Sequence, residues 1–412
     1  DGFCKEVHVE LVPCQDSTAV APELLSSKNF KLDILESLAD ARRVQKMVQD
    51  KEAAPSVSTF EELCDVKRKL FLNRSHADAL EFLHKVYSSV LPCFSSDQVH
   101  VGSELQLMEH LTSPELIGGY LDFISQLADI CSSSGRKSSI QFWSSGLSTD
   151  ILGSMQFGDG LDTSCVAMEY IVNFDESHEV RAHELQQAGV PFYLCPSTLS
   201  QNSFAGSLYD CLRNIFMASK ACEKYSATGL MSVDFGGAGH LHPILSSYPA
   251  FLALAGAAWN PSCTMGSTEE SLELLARLLD IHIFGDGDEG GCLGSVLTML
   301  GEVNDVSEHD QPGIMRCGRY NELLESRSSR LFDLVMATEK DVVVKELFEP
   351  GLRRSTRRVE KALEVLSAYR GRAPNIDIQE LQLMSEYLRV ACRLALLLVR
   401  ESNGSAALTQ ST

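Results

Sequence analysis

The 412-residue chain carries a net charge of −21, which excludes nucleic acid and anionic membrane surfaces as expected partners, because both require a positive face. Hydrophobic residues make up 44% of the chain and charged residues 22%, as in a globular protein with a large core. No apolar run reaches the length of a transmembrane helix, so we predict none. A neutral ligand such as a sugar is compatible with this composition.

The 13 cysteines are odd in number and form no CxxC pairs, which argues against zinc ribbons and redox motifs. Several lie inside apolar runs, for example Cys165, Cys195 and Cys392. This pattern predicts buried free thiols and favours a reducing compartment. His240 and His242 lie close together, but no third ligand follows, so we predict neither a metal nor a cofactor.

Short β-like runs alternate with helical stretches up to about residue 260. A helix is predicted to begin at Pro114 after an N-cap at Ser113, and another to end at Gly189. The alternation predicts parallel βα units, in a barrel or, as the alternative, an open doubly wound sheet. The chain begins at Asp1 and shows six such units, so we expect it to be part of a larger protein. The predicted strands are Val7–Val12, Gln98–Gly102, Ser139–Trp143, Cys165–Val172, Pro191–Cys195 and Gly229–Val233.

The pattern after residue 260 is helical throughout, which predicts a barrel domain over residues 1–260 and a helical region over 261–400. The last predicted helix, Asp377–Val399, is amphipathic. The small polar residues from Glu401 predict a disordered tail over 401–412. The apolar side of the last helix contains Leu381, Met384, Leu388, Cys392 and Ala395.

The segment Gly285–Gly290 matches the GxGxxG pattern, but its carboxylates would repel a pyrophosphate. Counted as a calcium loop from Asp286, it has Leu297 where a bidentate Glu is needed. We interpret it as an acidic turn.

Polar and aromatic residues recur at the carboxyl ends of the predicted strands, which form the catalytic face of an α/β barrel. A glycosidase needs carboxylates and aromatic faces there. Any one of these residues could merely cap a helix, but their recurrence at one structural position favours a site. They are Gln15, Asp16, Ser103, Glu104, Trp143, Glu169, Asn202, Asp234 and His240.

Four segments carry a resemblance to one branch of glycoside hydrolase family 20, the β-N-acetylhexosaminidases. Pro191–Ser207 (PFYLCPSTLSQNSFAGS) resembles the branch signature PFYVCPGTSSWNSIAGR, and Gly229–Pro243 (GLMSVDFGGAGHLHP) resembles GxLxTDWGDxGHxxP. Val9–Ser17 (VELVPCQDS) is similar to IELVPNQNS, and Gly102–Glu104 stands where the family has its catalytic GxDE. The resemblance covers nearly the whole chain.

The resemblance implies a TIM (β/α)8-type barrel seen from its third strand onward, with an all-helical C-terminal region and the first two βα units upstream or on another chain. It implies an N-acetylhexosamine ligand and a substrate-assisted retaining mechanism, in which a Glu is the general acid and an Asp orients the acetamido group. Glu104 takes the position of the acid. The implied sugar-binding residues are Gln15, Asp16, Trp143, Tyr170, Asn202, Asp234 and His240.

Several departures fall on the sugar-binding face. Ser103 replaces the orienting Asp, and losing a charge directed at the transition state typically costs several kcal/mol. Gln201 replaces the signature Trp, and Ser207 replaces its Arg. The leading hypothesis is therefore a degenerate family 20-like barrel that serves as a binding or structural subunit of a larger assembly with protein partners.

Two other functions stay open at this stage. One is an active exo-hexosaminidase, with Glu104 as the acid and Ser103 and Asp234 orienting the sugar. The other is a lectin-like module that binds glycans without chemistry, with Trp143 and Tyr170 as stacking residues. Whether the chain is an enzyme is not decided by its sequence.

Overall fold

The computed structural model describes residue 12 and the ranges 77–102, 114–134, 139–144, 147–154, 165–171, 177–234, 242–261, 269–286, 291–303, 329–336 and 348–409. These residues divide between two compact units. The first comprises Asp1–Glu169 with Gln187–Phe192, and the second comprises Tyr170–Gln186 with Tyr193–Thr412. The predicted division near residue 260 stays a prediction.

The strands form a five-stranded sheet in the order β1-β2-β3-β4-β5, and the pairs β1–β2, β2–β3 and β4–β5 are parallel. Each strand contains or overlaps a predicted one; the predicted run Val7–Val12 lies outside the described residues apart from Val12. The strands are β1 (Gln98–His100), β2 (Ser139–Trp143), β3 (Cys165–Ile171), β4 (Phe192–Pro196) and β5 (Gly229–Leu230).

Among the five described strands, the sheet order follows the chain order and shows no reversal of the kind that defines a doubly wound sheet. Helices follow the strands, as expected for parallel strands, which need crossover connections. The chain is therefore of the α/β class with a parallel sheet. Closure of that sheet into a barrel stays a prediction.

The helices lie between the strands and dominate the C-terminal part of the chain. Three short turns of other helix types precede or continue α-helices. Two are 3₁₀ turns, at Leu91–Cys93 and Ile244–Ser247, and one is a π-helical turn at Asp280–Phe284. In chain order the helices are α1 (Ala77–Val90), α2 (Pro114–Ser133), α3 (Thr149–Ser154), α4 (Ser177–Ala188), α5 (Leu208–Lys224), α6 (Tyr248–Trp259), α7 (Glu269–Leu279), α8 (Leu293–Gly301), α9 (Arg330–Met336), α10 (Glu349–Ala368) and α11 (Asn375–Thr409).

In the first unit, α1 packs against α2 through apolar rows at helical spacing. Leu83 and Tyr87 of α1 are buried, as are Phe123 and Leu127 of α2. Helix α2 begins at Pro114 as predicted, because a proline at the first helical position gives up an N–H that would have had no intrahelical partner.

In the second unit, α10 packs against α11, α7 against α8 and α5 against α6. Helix α4 ends at Ala188, and Gly189 adopts the left-handed conformation (φ 71°) predicted for a C-cap. The predicted apolar side of the last helix is confirmed, since its five residues are fully buried. They are Leu381, Met384, Leu388, Cys392 and Ala395.

Helix α11 continues to Thr409, past Glu401, where the predicted tail begins. The predicted disorder over residues 401–412 stays a prediction. Residues 410–412 lie outside the described residues.

The predicted acidic turn begins at Gly285, whose left-handed conformation (φ 71°) ends the π-helical turn. The Asp286 carboxylate accepts hydrogen bonds from the Tyr369 hydroxyl and from the Arg372 backbone N–H (2.9 Å). Burial, followed by the bond to Asp286, raises the pKa of Tyr369 to about 12. Asp286 therefore stabilises the loop between α10 and α11 by hydrogen bonds to two of its residues.

Candidate functional site

A cluster of hydroxyl groups surrounds Asp234 in the second unit, just after β5. The hydroxyls of Thr198, Ser200 and Ser247 lie 2.6, 2.7 and 2.8 Å from Asp234 Oδ1. Thr198 and Ser200 follow β4, and Ser247 belongs to the 3₁₀ turn before α6. All three hydroxyl-bearing residues are buried. We call these four residues the Asp234 cluster.

The Asp234 cluster has more oxygen contacts than protons. Ser200 Oγ also lies 2.9 Å from both Thr198 Oγ1 and Ser247 Oγ, and each hydroxyl carries one proton. Thr198 and Ser200 can donate to Asp234 Oδ1, while Ser247 donates to Asp234 or to Ser200. The Asp234 oxygen is therefore the common acceptor that ties two loops together.

The loop between β4 and α5 has an unusual backbone. Leu199 (φ 53°) and Asn202 (φ 48°) occupy the left-handed region, where side chains other than glycine are uncommon. The buried Ser203 hydroxyl donates to the Ser200 carbonyl oxygen (2.6 Å) and accepts from the Gly206 N–H (2.7 Å). Because such strain persists only where surrounding contacts fix it, these bonds and the Asp234 cluster hold the loop in one shape.

A second polar group lies in the first unit, at the ends of β2 and β3. The Ser144 hydroxyl donates to Glu169 Oε2 at 2.7 Å, and both residues are buried. The Trp143 ring meets the His100 ring in a T-shaped contact, with 5.0 Å between centroids. His100 therefore covers part of the Trp143 indole surface.

The backbone N–H of Gly102 holds His100 in one tautomer. The Gly102 N–H donates to His100 Nδ1 at 3.0 Å, so Nδ1 must be an acceptor and the proton of the neutral ring lies on Nε2. Burial lowers the pKa of His100 from its ordinary 6.5 to about 4. The ring is therefore neutral near pH 7 and is a packing and hydrogen-bonding group.

We expect His100 to make unfolding pH-dependent. Its pKa is lower in the folded chain, so its contribution to stability is fully present above pH 6.5 and is lost as the pH falls toward about 4. The difference corresponds to about 3 kcal/mol. Urea unfolding of the parent and of His100→Gln across that window should show the two free energies converging as the pH falls. The control is His282→Gln, which alters an exposed histidine; a difference that stays constant with pH contradicts the expectation.

The structure places five of the predicted site residues, one of which is Glu169, the acceptor of the Ser144 hydroxyl. Trp143 ends β2 in the first unit. In the second unit, Tyr170 lies buried on β3, Asn202 lies in the strained loop, and Asp234 anchors the hydroxyl cluster. The other predicted site residues lie outside the described residues, which leaves the predicted acid and its neighbour unplaced. They are Gln15, Asp16, Ser103, Glu104 and His240.

The hydroxyl partners of Asp234 are not among the residues predicted from the sequence. Thr198 and Ser200 lie within the segment that carries the family resemblance. Their position after β4 could therefore have marked them as candidate partners of Asp234. Ser247 lies 13 residues beyond Asp234 with no motif around it. The described contacts of these hydroxyls are with the carboxylate, with one another and with backbone. They include no histidine or lysine, the side chains that commonly act as the base for a nucleophilic serine.

Within the described residues, no group of three or more His, Cys, Asp and Glu side chains could hold a metal ion. The described helices include none that is both long and apolar enough to span a membrane. Cys195 and Cys392 are buried free thiols, as predicted, and burial raises the pKa of Cys392 to about 12. Such thiols are chemically inert.

No family model matches the chain, and no curated protein matches it. Among solved structures, it is similar to a glycoside hydrolase family 20 β-N-acetylglucosaminidase (TM-score 0.41, 15% identity, 69% of this chain and 58% of the other). It is also similar to a chitobiase from Flavobacterium johnsoniae (0.39, 13%, 97% and 61%). A third is the family 20 exo-β-N-acetylglucosaminidase from Vibrio harveyi in complex with N-acetylglucosamine (0.33, 16%, 52% and 37%). The chain spans less than two thirds of each of these structures.

Proposed function

We propose that the chain is a family 20-like domain that has lost hydrolysis and serves as a binding or structural subunit of a larger assembly. The observation that carries the proposal is the Asp234 cluster. Asp234 is the retained Asp of the GLMSVDFGGAGHLHP segment, and its Oδ1 accepts buried hydroxyls from two loops. This use of Asp234 Oδ1 supports a framework role for the carboxylate.

The two substituted signature positions support the same proposal. Gln201, where the resemblance has a Trp, is buried, so its side chain offers no face on which a sugar could stack. Ser207, where the resemblance has an Arg, precedes α5, and its hydroxyl donates to Asp210 Oδ2 at 2.9 Å. Gln201 is therefore buried within the chain, and Ser207 makes a hydrogen bond within it.

A hydrolysis assay tests the proposal. We expect no turnover of an aryl N-acetyl-β-D-glucosaminide above the rate in buffer, because Ser103 supplies no charge to the oxazolinium that forms in the substrate-assisted mechanism. Glu104→Gln should behave as the parent does. The matched control is Glu81→Gln, which alters an exposed glutamate on α1. Turnover that disappears in Glu104→Gln and persists in Glu81→Gln contradicts the proposal and selects the active hexosaminidase.

A sugar titration separates the lectin-like alternative from a structural role. The chain has two tryptophans, so Trp259→Phe leaves Trp143 as the only indole reporter. Trp259 is 92% exposed, and its replacement should leave the fold intact. A saturable change in Trp143 fluorescence with N-acetylglucosamine selects the lectin-like module, and an unchanged signal supports a structural role.

A further inference from the structure

Helix α10 begins with a basic stretch in a chain that is otherwise acidic. Residues 349–361 contain five basic and two acidic side chains, whereas the whole chain has 35 basic and 56 acidic ones. Arg353, Arg357 and Lys361 recur every four residues and are exposed, so they share the solvent-facing side of the helix. The residues that pack inward form a separate row, Leu352, Ser355, Val359 and Ala362.

Two arginines of α11 lie beside this basic face. Glu349 Oε1 is 2.8 Å from Arg353 Nη2 and 3.6 Å from Arg400 Nε, so the last turns of α11 lie against the first turn of α10. Arg393 is exposed and precedes Arg400 by two helical turns, which places both on the same side of α11. We call Arg353, Arg357, Arg393 and Arg400 the arginine surface.

The arginine surface has more positive charge than its neighbours neutralise. Glu349 is shared by Arg353 and Arg400: the hydrogen bond from Arg353 lowers the pKa of Glu349, and the charge of Arg400 adds to the effect. No described carboxylate forms an ion pair with Arg357 or Arg393, and Arg357 Nε donates instead to the Arg353 carbonyl oxygen (3.3 Å). Other carboxylates lie at the ends of the surface, Glu360, Glu364 and Glu386 at one and Glu401 at the other.

An exposed apolar row of α11 lies beside the same arginines. Val390 and Leu397 are 60% and 59% exposed. Leu397 follows Arg393 by four residues and precedes Arg400 by three, so it lies between them on the helix surface. A leucine among arginines is complementary to an apolar side chain among carboxylates, because phosphate groups alone would leave the leucine in water.

We propose that the arginine surface and Leu397 bind a short acidic segment of a partner protein, with an apolar residue among its carboxylates. Arginine pairs with carboxylates through two parallel hydrogen bonds, which gives the contact its specificity. From residue 349 to 358, α10 rises about 14 Å, the length of about four residues of extended chain. A duplex nucleic acid or a bilayer would extend over the rest of a chain of net charge −21 and be repelled. The inference goes beyond the proposed function, since an active hydrolase could carry the same surface.

Fluorescence anisotropy of the labelled peptide Glu-Glu-Leu-Glu-Glu, titrated with the whole chain, tests this inference. At low salt we expect saturable binding with a Kd of about 1–100 μM, weakening at least about tenfold between about 0.02 M and about 0.5 M salt. Combining Arg357→Glu with Arg393→Glu should weaken binding at least about tenfold, because attraction becomes repulsion. The matched control combines Arg213→Glu on α5 with Arg277→Glu on α7, which makes the same charge change at exposed arginines and should bind as the parent does.

Four outcomes overturn the proposal. The peptide does not saturate the parent at low salt, or the two double variants bind it equally. A duplex oligonucleotide or phosphatidylglycerol vesicles bind more tightly than the peptide, which assigns the surface to phosphates. A parent that sediments as a dimer and does not bind the peptide assigns the surface to a second copy. Circular dichroism confirms that each variant keeps its helices, and Arg393→Gln, which should weaken binding about threefold, is the milder variant if the double one unfolds.

A second peptide tests the contact with Leu397. Leu397→Ser should weaken binding of Glu-Glu-Leu-Glu-Glu by about fivefold, because the apolar side chain of the peptide loses its partner. Binding of Glu-Glu-Gly-Glu-Glu should be unchanged, since that peptide has no such side chain. Equal effects of Leu397→Ser on the two peptides would remove the apolar contact and leave a surface that recognises charge alone, which contradicts the proposed partner.

Discussion

Replacing Asp234 with alanine is expected to lower the free energy of unfolding by about 4 kcal/mol, because buried hydroxyls of Thr198, Ser200 and Ser247 lose their common acceptor. Two of the hydroxyls can still pair with Ser200, so the loss is smaller than three separate bonds would give. The strained loop after β4 should loosen at the same time, since its shape depends on those bonds. Urea unfolding measures the free energy, and amide hydrogen exchange over residues 197–207 measures the loop.

Two variants control this experiment. Asp234→Asn keeps an Oδ1 acceptor without the charge and should cost roughly half as much. Asp129→Ala alters an exposed aspartate on α2 and should change the free energy by less than about 0.5 kcal/mol. If Asp234→Ala is instead as stable as the parent or more stable, the carboxylate is not a framework group. Binding or catalytic groups often reduce stability, so that result would favour a sugar-binding role.

The strands were predictable because each lies in a short apolar run, although β5 ends at Leu230, three residues before the predicted end at Val233. The runs that became β2, β3 and β4 contain β-branched and aromatic residues, which suit a buried parallel sheet. The starts and ends of helices were predictable where a residue has one backbone preference, as at Pro114 and Gly189. Such signals are local, so one sequence is enough to read them.

The Asp234 cluster was not predictable in the same way. Asp234 could be found from its place after β5. Its role as a common acceptor depends partly on Ser247, which lies 13 residues further along the chain and is brought back to Asp234 only by the fold. The exposed apolar row of α11 was not predictable for a related reason. The periodicity of Leu381, Met384 and Leu388 accounts for one buried face, and only the exposure of Val390 and Leu397 in the structure distinguishes a second face from it.

Gly294 is the position at which a single added methyl group is expected to be most damaging. A Cβ at Gly294 would lie 2.0 Å from the carbonyl oxygen of Ala276 and 2.8 Å from its carbonyl carbon, and both atoms are α7 backbone that cannot rotate away. The Gly294 N–H also donates to Asp280 Oδ1 at 2.8 Å, so α8 cannot withdraw from α7 without breaking a buried bond. We expect Gly294→Ala to lower the free energy of unfolding by about 4 kcal/mol or more, through overpacking and the loss of that bond.

The same substitution in α2 provides the control for Gly294→Ala. Gly119 is exposed within a helix, and a Cβ there would meet nothing within 4 Å. Gly119→Ala should therefore stabilise the chain by about 1 kcal/mol, since alanine loses less backbone freedom in a helix than glycine does. Urea unfolding of the two variants should move in opposite directions. Equal small effects would mean that α7 and α8 can separate at little cost, and that the close approach at Ala276 does not hold the second unit together.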